Sequence, residues 1–305
     1  IGSVIGMVGL GNSSSKSIQD EISSMGTNMI TVMRKSERRG GVNIGSTNVQ
    51  TLKASDADAI LAGTQYITMA TPVVTASGQI VYGSNNWPGS VRGGNADYLE
   101  INKYTISSGT TFSEADVRNS AKVCVIGTTV RDNIFTNGED PLGKVIRVGK
   151  IPMKIIGVLD SKGANTFGQD QDDIIIAPYT TVQKRILAIT YVHMIVCSAA
   201  SEDVAGLALA DVERILRREH RLTAGKENDF EVRTQQQMLD MFSSVTSIIT
   251  LLLTIVAAIS LLVGGIGIMN IMYVTVTERP REIGLRMAVG GKNKDILLQL
   301  SLISI

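Results

Sequence analysis

No Asp, Glu, Lys or Arg occurs between Asp240 and Glu278. As a helix, that stretch would reach on the order of 55 Å, whereas roughly 20 apolar residues suffice to cross a bilayer core. The core helix of a soluble protein rarely runs so far without a charge, so the stretch reads as a transmembrane helix. It is also longer than a bilayer needs. Its first part, "SSVTSIITLLLT", sets Ser243, Ser244, Ser247 and Thr250 among Val245, Ile248, Ile249 and Leu252, an amphipathic pattern. The later "IVAAISLLVGGIGIMNIMYV" is apolar all round. We expect a stalk that continues into a span over residues 241–277.

Five basic residues follow: Arg279, Arg281, Arg286, Lys292 and Lys294. The positive-inside rule puts that end in the cytoplasm, so the large segment before Asp240 lies on the other side of the membrane. The opening "IGSVIGMVGLGNSSS" is charge-free up to Lys16 and fits the outer end of an earlier span. The chain starts without Met and ends in the apolar run "DILLQLSLISI", so it reads as an internal piece of a larger membrane protein. The expected order is the end of a first span (1–12), an external domain (13–240), stalk and second span (241–277), a cytoplasmic helix (278–291) and the start of a third span (292–305). Within the span, Ala257, Ser260, Gly264, Gly267 and Asn270 recur at steps of three and four. Such a small-residue face, with an Asn on it, suits packing against another span of the same chain or of a second copy; glycine being common in membrane helices is the plainer explanation.

The external domain reads as α+β. "NMITVMR", "YITMATPVVTA", "YVHMIVCS" and "DFEVRT" have strand character. "KSIQDEISSMG" reads as a helix, "ASDADAILAG" as a helix with a Ser–Asp start, and "EDVAGLALADVERILRREHR" as one with Val204, Leu207, Ile215 and Leu216 near one face. Two β-α-β units at the ends (about 13–77 and 182–240) suit a ferredoxin-like lobe. Between them, about 78–181, strands and turns suggest an inserted β-rich lobe. "RKSERRGG" reads as a solvated loop. Cys124 and Cys197 sit in apolar runs and read as buried thiols.

Several functions find no support in the residues. A net charge of +1 gives no pull toward nucleic acid. There is no Gly-x-x-x-x-Gly-Lys-Ser/Thr phosphate loop, and "GNSSSKS" is not a nucleophile elbow. His193 and His220 lack neighbours at zinc-ligand spacing and read as structural or solvated. Asp170, Asp172 and Asp173 in "FGQDQDDIII" lack the glycine and distal Glu of a calcium loop, so they suit a turn. We expect no catalytic residue, resident cofactor or metal.

The charged turn at the foot of the span remains. Pro280 suits the first position of a helix, Glu282 falls in its first turn where a carboxylate favours the dipole, and Gly290 with Gly291 ends it. Ile283 and Met287, four apart, give it an apolar edge. A short amphipathic helix there docks either on lipid headgroups or in a groove of a cytoplasmic partner. A bare stop-transfer signal explains the arginines but not Glu278 or Glu282.

"LLVGGIGIMNIMYVTVTERPREIGLRMAVGGKNKDIL" closely resembles the signature of MacB-type ABC transporter permeases, with a periplasmic core domain and an FtsX-like transmembrane region. "GSVIGMVGLG", "IQDEISSMGTNMITV", "GTTFSEADV", "EDPLGKVIRV" and "FGQDQDDIIIAP" fall in the family's order, so the likeness covers nearly the whole chain. The resemblance implies a porter-like lobe carrying an inserted β-rich lobe. It also implies an inner-membrane, multi-pass permease whose coupling helix (Glu278, Arg279, Arg281, Glu282, Ile283, Arg286, Met287) meets an ABC ATPase. ATP and Mg would be bound by that ATPase, fused upstream or separate. Family partners further imply a homodimer, a periplasmic adaptor and an outer-membrane exit duct. Motion would pass outward along the helix from about Met238 to Val276 and expel substrate. Pro280 departs from the family pattern and implies a coupling helix that starts later or is kinked. The alternative is an FtsX-type regulator switching an external partner such as a cell-wall hydrolase. A sensor receptor ranks last, because a third span at "DILLQLSL" leaves no room for a signalling domain.

Overall fold

The computed structural model describes residues 28–35, 38–39, 42–43, 51–164, 169–223, 225–278 and 280–290. The helix expected at "KSIQDEISSMG", the end of the first span and the start of the third lie outside them. The chain divides into two units, Lys16–Phe242 on one hand and Ile1–Ser15 with Ser243–Ile305 on the other.

In the first unit, strand β1 (Met29–Arg34) is followed by a short ribbon, β2 (Arg38–Arg39) with β3 (Val42–Asn43), in the segment expected to be a loop. Helix α1 (Ala54–Gly63) leads to β4 (Ile67–Tyr82) and β5 (Asn85–Gly94). Then come α2 (Tyr98–Ile101), β6 (Ile106–Gly109), α3 (Glu114–Asn119), β7 (Val123–Ile126) and α4 (Thr128–Ile134). Strands β8 (Val145–Val148), β9 (Ile151–Leu159) and β10 (Ile174–Pro178) precede α5 (Tyr179–Thr181), which runs on as a wider turn over Val182–Leu187. Strand β11 (Met194–Ala199), helix α6 (Ala205–Glu219) and β12 (Phe230–Thr234) complete it.

The strand order β12-β1-β11-β4, all neighbours antiparallel, is that of a ferredoxin-like sheet. Helix α1 joins β1's side of the motif to β4, and α6 joins β11 to β12. Both helices cover one face. Ile30, Val32, Ile195 and Cys197 point to it from the strands, and Ile60, Ala208, Val212, Ile215 and Leu216 from the helices, all essentially buried. Leu207, expected on the buried face, is instead 56% exposed: the residues at steps of three and four from Ala205 are Ala208, Val212 and Leu216, and Leu207 falls on the opposite side. The carboxylate at the start of α1 acts from the third helical position, where Asp56 accepts from the Lys53 amide at 2.7 Å, and not as the first residue's cap.

Strand β4 is long because it belongs to two sheets. Ile67–Val73 pairs with β11, and Val74–Tyr82 pairs with β5. The exchange of partner falls just before the Gly78 start expected for the inserted lobe. From there the order β4-β5-β10-β7-β9-β6 builds a mixed sheet, with β8 pairing β4 and β9. An amide would be stranded at the exchange. The Thr75 N–H donates to His193 Nδ1 at 2.9 Å, while the His193 N–H donates to the Val73 carbonyl. The pair Gly93–Gly94 ends β5 without side chains because a Cβ there would lie 2.7 Å from Tyr179 Cα and 2.4 Å from Tyr98 Cβ. Tyr98, Leu99, Ile101 and Phe112 form a second core with Val125, Ile174, Ile176 and Val196.

In the other unit, and beginning in the first, a 44-residue helix α7 (Gln235–Glu278) precedes the nine-residue α8 (Pro280–Ala288).

Candidate functional site

Strand β12 passes into α7 with no loop between them. Thr234 is the last strand residue, and Gln235 the first helical one. The Gln237 amide donates to Thr234 Oγ1 and the Thr234 amide donates to Gln237 Oε1, both at 3.2 Å, so each side chain satisfies a backbone donor of the other. This Thr-x-x-Gln box is a helix-start signal that lies upstream of the charge-free stretch. Arg233 reaches Met241 Sδ at 3.7 Å, and Gln236 donates to Asp240 at 3.0 Å, which fixes the first turns. The helix therefore starts three residues before the Met238 expected for its beginning, and six before the expected start of the stalk at 241.

At 1.5 Å per residue, α7 is about 66 Å long. Its most apolar window has a mean hydropathy of 2.6 and none of that window is buried; it is long and apolar enough to cross a membrane. Leu262, Ile268 and Met269 are each more than 60% exposed. The hydroxyls of Thr254, Ser260, Thr275 and Thr277 each donate to the carbonyl four residues back, at 2.7–3.0 Å. That leaves no hydroxyl among these four in need of water, as an apolar surrounding requires. Ser260, Gly264, Gly267 and Asn270 are exposed and Ala257 is partly covered. A side chain at Gly264 or Gly267 would meet nothing within 4 Å.

Glu278 closes α7 and Pro280 opens α8, so the short helix begins two residues later than the 278 expected for it, with the proline in its first position. Proline's missing N–H costs nothing in a first turn. Arg281 is exposed and Ile283 partly covered. Leu285, which the apolar pair Ile283–Met287 did not suggest, is 72% exposed. Gly290 takes φ +96°, the left-handed conformation that ends a helix. Arg279 and the side chains of Glu282, Arg286 and Met287 lie outside the described part, as do Lys292 and Lys294.

The other candidates are structural. Asp172 is buried and accepts from the Ser161 hydroxyl and from the Lys162 and Gly163 amides. Asp170 accepts from the Thr129 hydroxyl and the Asp172 amide, and Asp173 from the Trp87 indole at 2.9 Å. The three carboxylates thus stitch turns together. Among the described residues no group of three or more His, Cys, Asp or Glu is placed to hold a metal. Both thiols are free and buried, and burial pushes both up, Cys197 to about 12. His220, expected to be structural or solvated, is 7% exposed and lies between Asp229 and Asp56, 2.9 Å from one and 3.2 Å from the other.

Comparison with known proteins follows this architecture. Residues 1–215 match the family model described as the MacB-like periplasmic core domain. A macrolide export ATP-binding/permease protein MacB of Syntrophobacter fumaroxidans is 36% identical, over 98% of this chain and 49% of its own length. One from Acinetobacter baylyi is 38% identical over 98% of this chain and 44% of its own length. The chain thus spans about half the length of the curated relatives it matches. The periplasmic region of MacB from Actinobacillus actinomycetemcomitans superposes with a TM-score of 0.60 at 26% identity, covering 74% of this chain and 97% of that one. The α+β domain, its inserted β-rich part and the family match agree, and this chain belongs to the MacB-like periplasmic core domain family.

Proposed function

We propose that this chain is the permease region of an ABC-type exporter that works by mechanotransmission. An ATPase domain or subunit, binding ATP and Mg, would close in the cytoplasm and displace α8. Helix α7 would carry that displacement across an inner membrane to the external domain of a homodimer, which expels substrate, with a periplasmic adaptor and an outer-membrane exit duct beyond it. The observation that carries the reading is the loop-free junction at Thr234: the last residue of a strand of the ferredoxin-like sheet is followed directly by the first residue of a helix of about 66 Å. The domain limits proposed with this reading are porter-like parts at about 13–77 and 182–240, an inserted lobe at about 78–181, and spans ending at 12, crossing within 241–277 and starting at 292.

In this reading Glu278, Arg279, Arg281, Glu282, Ile283, Arg286 and Met287 form the surface that meets the ATPase. The exposed small face of Ser260, Gly264 and Gly267, with Ala257 and Asn270, packs against another span or the second copy. The relatives' names make a macrolide the first cargo to assay.

Reversing the charge of Glu282 tests the coupling. In cells expressing the complete transporter, Glu282→Lys should leave the protein in the membrane at normal abundance and its ATPase active, while macrolide efflux falls at least tenfold. Normal efflux by that variant would remove the coupling role from α8.

A further inference from the structure

His220 sits where three elements meet. It caps the C-terminal end of α6, Asp56 comes from the first turn of α1, and Asp229 immediately precedes β12. His220 Nδ1 is 2.9 Å from Asp229 Oδ1 and Nε2 is 3.2 Å from Asp56 Oδ2; the imidazole and the Phe230 ring pack edge-to-face with their centroids 5.6 Å apart. The imidazole is 7% exposed and the two carboxylates 7% and 21%. Each partner is anchored: Asp56 also holds the Lys53 amide, and the Asp229 carbonyl accepts from the Lys35 amide at 3.0 Å, tying it to the end of β1.

An imidazolium can donate to both carboxylates at once. A neutral imidazole has one N–H, so one of its nitrogens must then point a lone pair at a carboxylate oxygen in a site almost closed to water. Asp56 and Asp229 are the charged groups that face the ring, from α1 and from the entry to β12, and neither offers a donor when ionised.

We propose that His220 is a proton-operated latch: protonated, it locks the entry of β12 to α1 and α6, and deprotonation releases one side of that lock. The hydrogen bond to Asp56, then that to Asp229 and both charges, outweigh burial and hold the imidazole above its ordinary 6.5. Because the folded value is raised, the stabilisation is complete below 6.5 and is lost as pH rises through the folded value. The latch therefore closes in acid and opens in base. The released segment is the one that feeds α7, so acidity on the domain's side of the membrane would set how firmly the sheet grips that helix. That functional weight rests on the mechanical reading above, but the titration and exchange readouts stand without it.

The test uses the full chain in lipid nanodiscs. Imidazole NMR of His220 should titrate with a midpoint above 6.5. Amide exchange of Glu231–Thr234, corrected for the intrinsic pH dependence, should show protection about tenfold greater at pH 6 than at pH 9. His220→Gln should remove that difference. Asp229→Asn, which keeps the shape of the site and an acceptor, should move the His220 midpoint downward, so the proposal stays testable if the glutamine variant folds poorly. A His220 midpoint at or below 6.5, or β12 protection that responds to pH equally in wild type and variants, would overturn it.

Discussion

Thr234 shows how much one side chain decides here. Its hydroxyl accepts from Gln237 and its own amide is held in return, so it ends a strand and starts a helix at once. Thr234→Ala should cost about 1 kcal/mol, the usual worth of such a cap, measured by denaturant unfolding of the chain in micelles. Loss of stability should be accompanied by fraying of the first turn, visible as faster exchange of the Gln236 and Gln237 amides; an unchanged midpoint and unchanged exchange would mean that the junction is held by something else. His193 gives a second residue-scale expectation. As an acceptor for the Thr75 amide it must be neutral, and burial, then the Arg34 charge, keep it below its ordinary 6.5. The unfolded chain takes up a proton at 6.5 while the folded one resists, so stability present above 6.5 is lost as pH falls below it. His193→Gln keeps an acceptor and removes the titration, so the acid limb of a melting-temperature profile should flatten; an identical acid limb would discount the role. Neither histidine role was legible in the sequence, because His193 and Thr75 are brought together by a strand pairing, and His220, Asp56 and Asp229 by a three-element contact. No spacing encodes either.

At the scale of elements, periodicity was informative and its edges were not. The strands of the ferredoxin-like sheet, α1, α6 and the charge-free helix are all readable from alternation or from 3.6-residue spacing. Leu207 was misplaced because a large apolar residue draws attention that Ala205 and Ala208, which do the packing, do not. The long helix was read from its lack of charge, which placed its start at about Met238, three residues late; the start is marked by Thr234 and Gln237, in a polar stretch where hydropathy is silent. The double membership of β4 could not be read at all, since both halves of a strand look alike until their partners are known. A flexible Gly-Ser-Gly insertion between Thr234 and Gln235 belongs to this scale. If the chain works as proposed, the insertion should leave the external domain folded and the partner's ATP hydrolysis intact while abolishing macrolide efflux, whereas efflux at the parental rate would show that no push travels through the junction.

At the scale of the whole molecule, the sequence and the comparisons converge on a MacB-like chain with an external α+β domain and a helix fit to span a membrane. What the residues on α8 would touch in the proposed function is an expectation drawn from the family resemblance alone, because a docking surface is defined by its partner. The proposed mechanism depends on that contact. The most direct measurement is a photo-crosslinker at Arg281 or Met287 in native membranes, with the captured protein identified by mass spectrometry. The proposed coupling role predicts capture of an ABC ATPase, either a separate subunit or an ATPase domain of the same polypeptide; capture of lipid alone, or of an unrelated cytoplasmic protein, would contradict it.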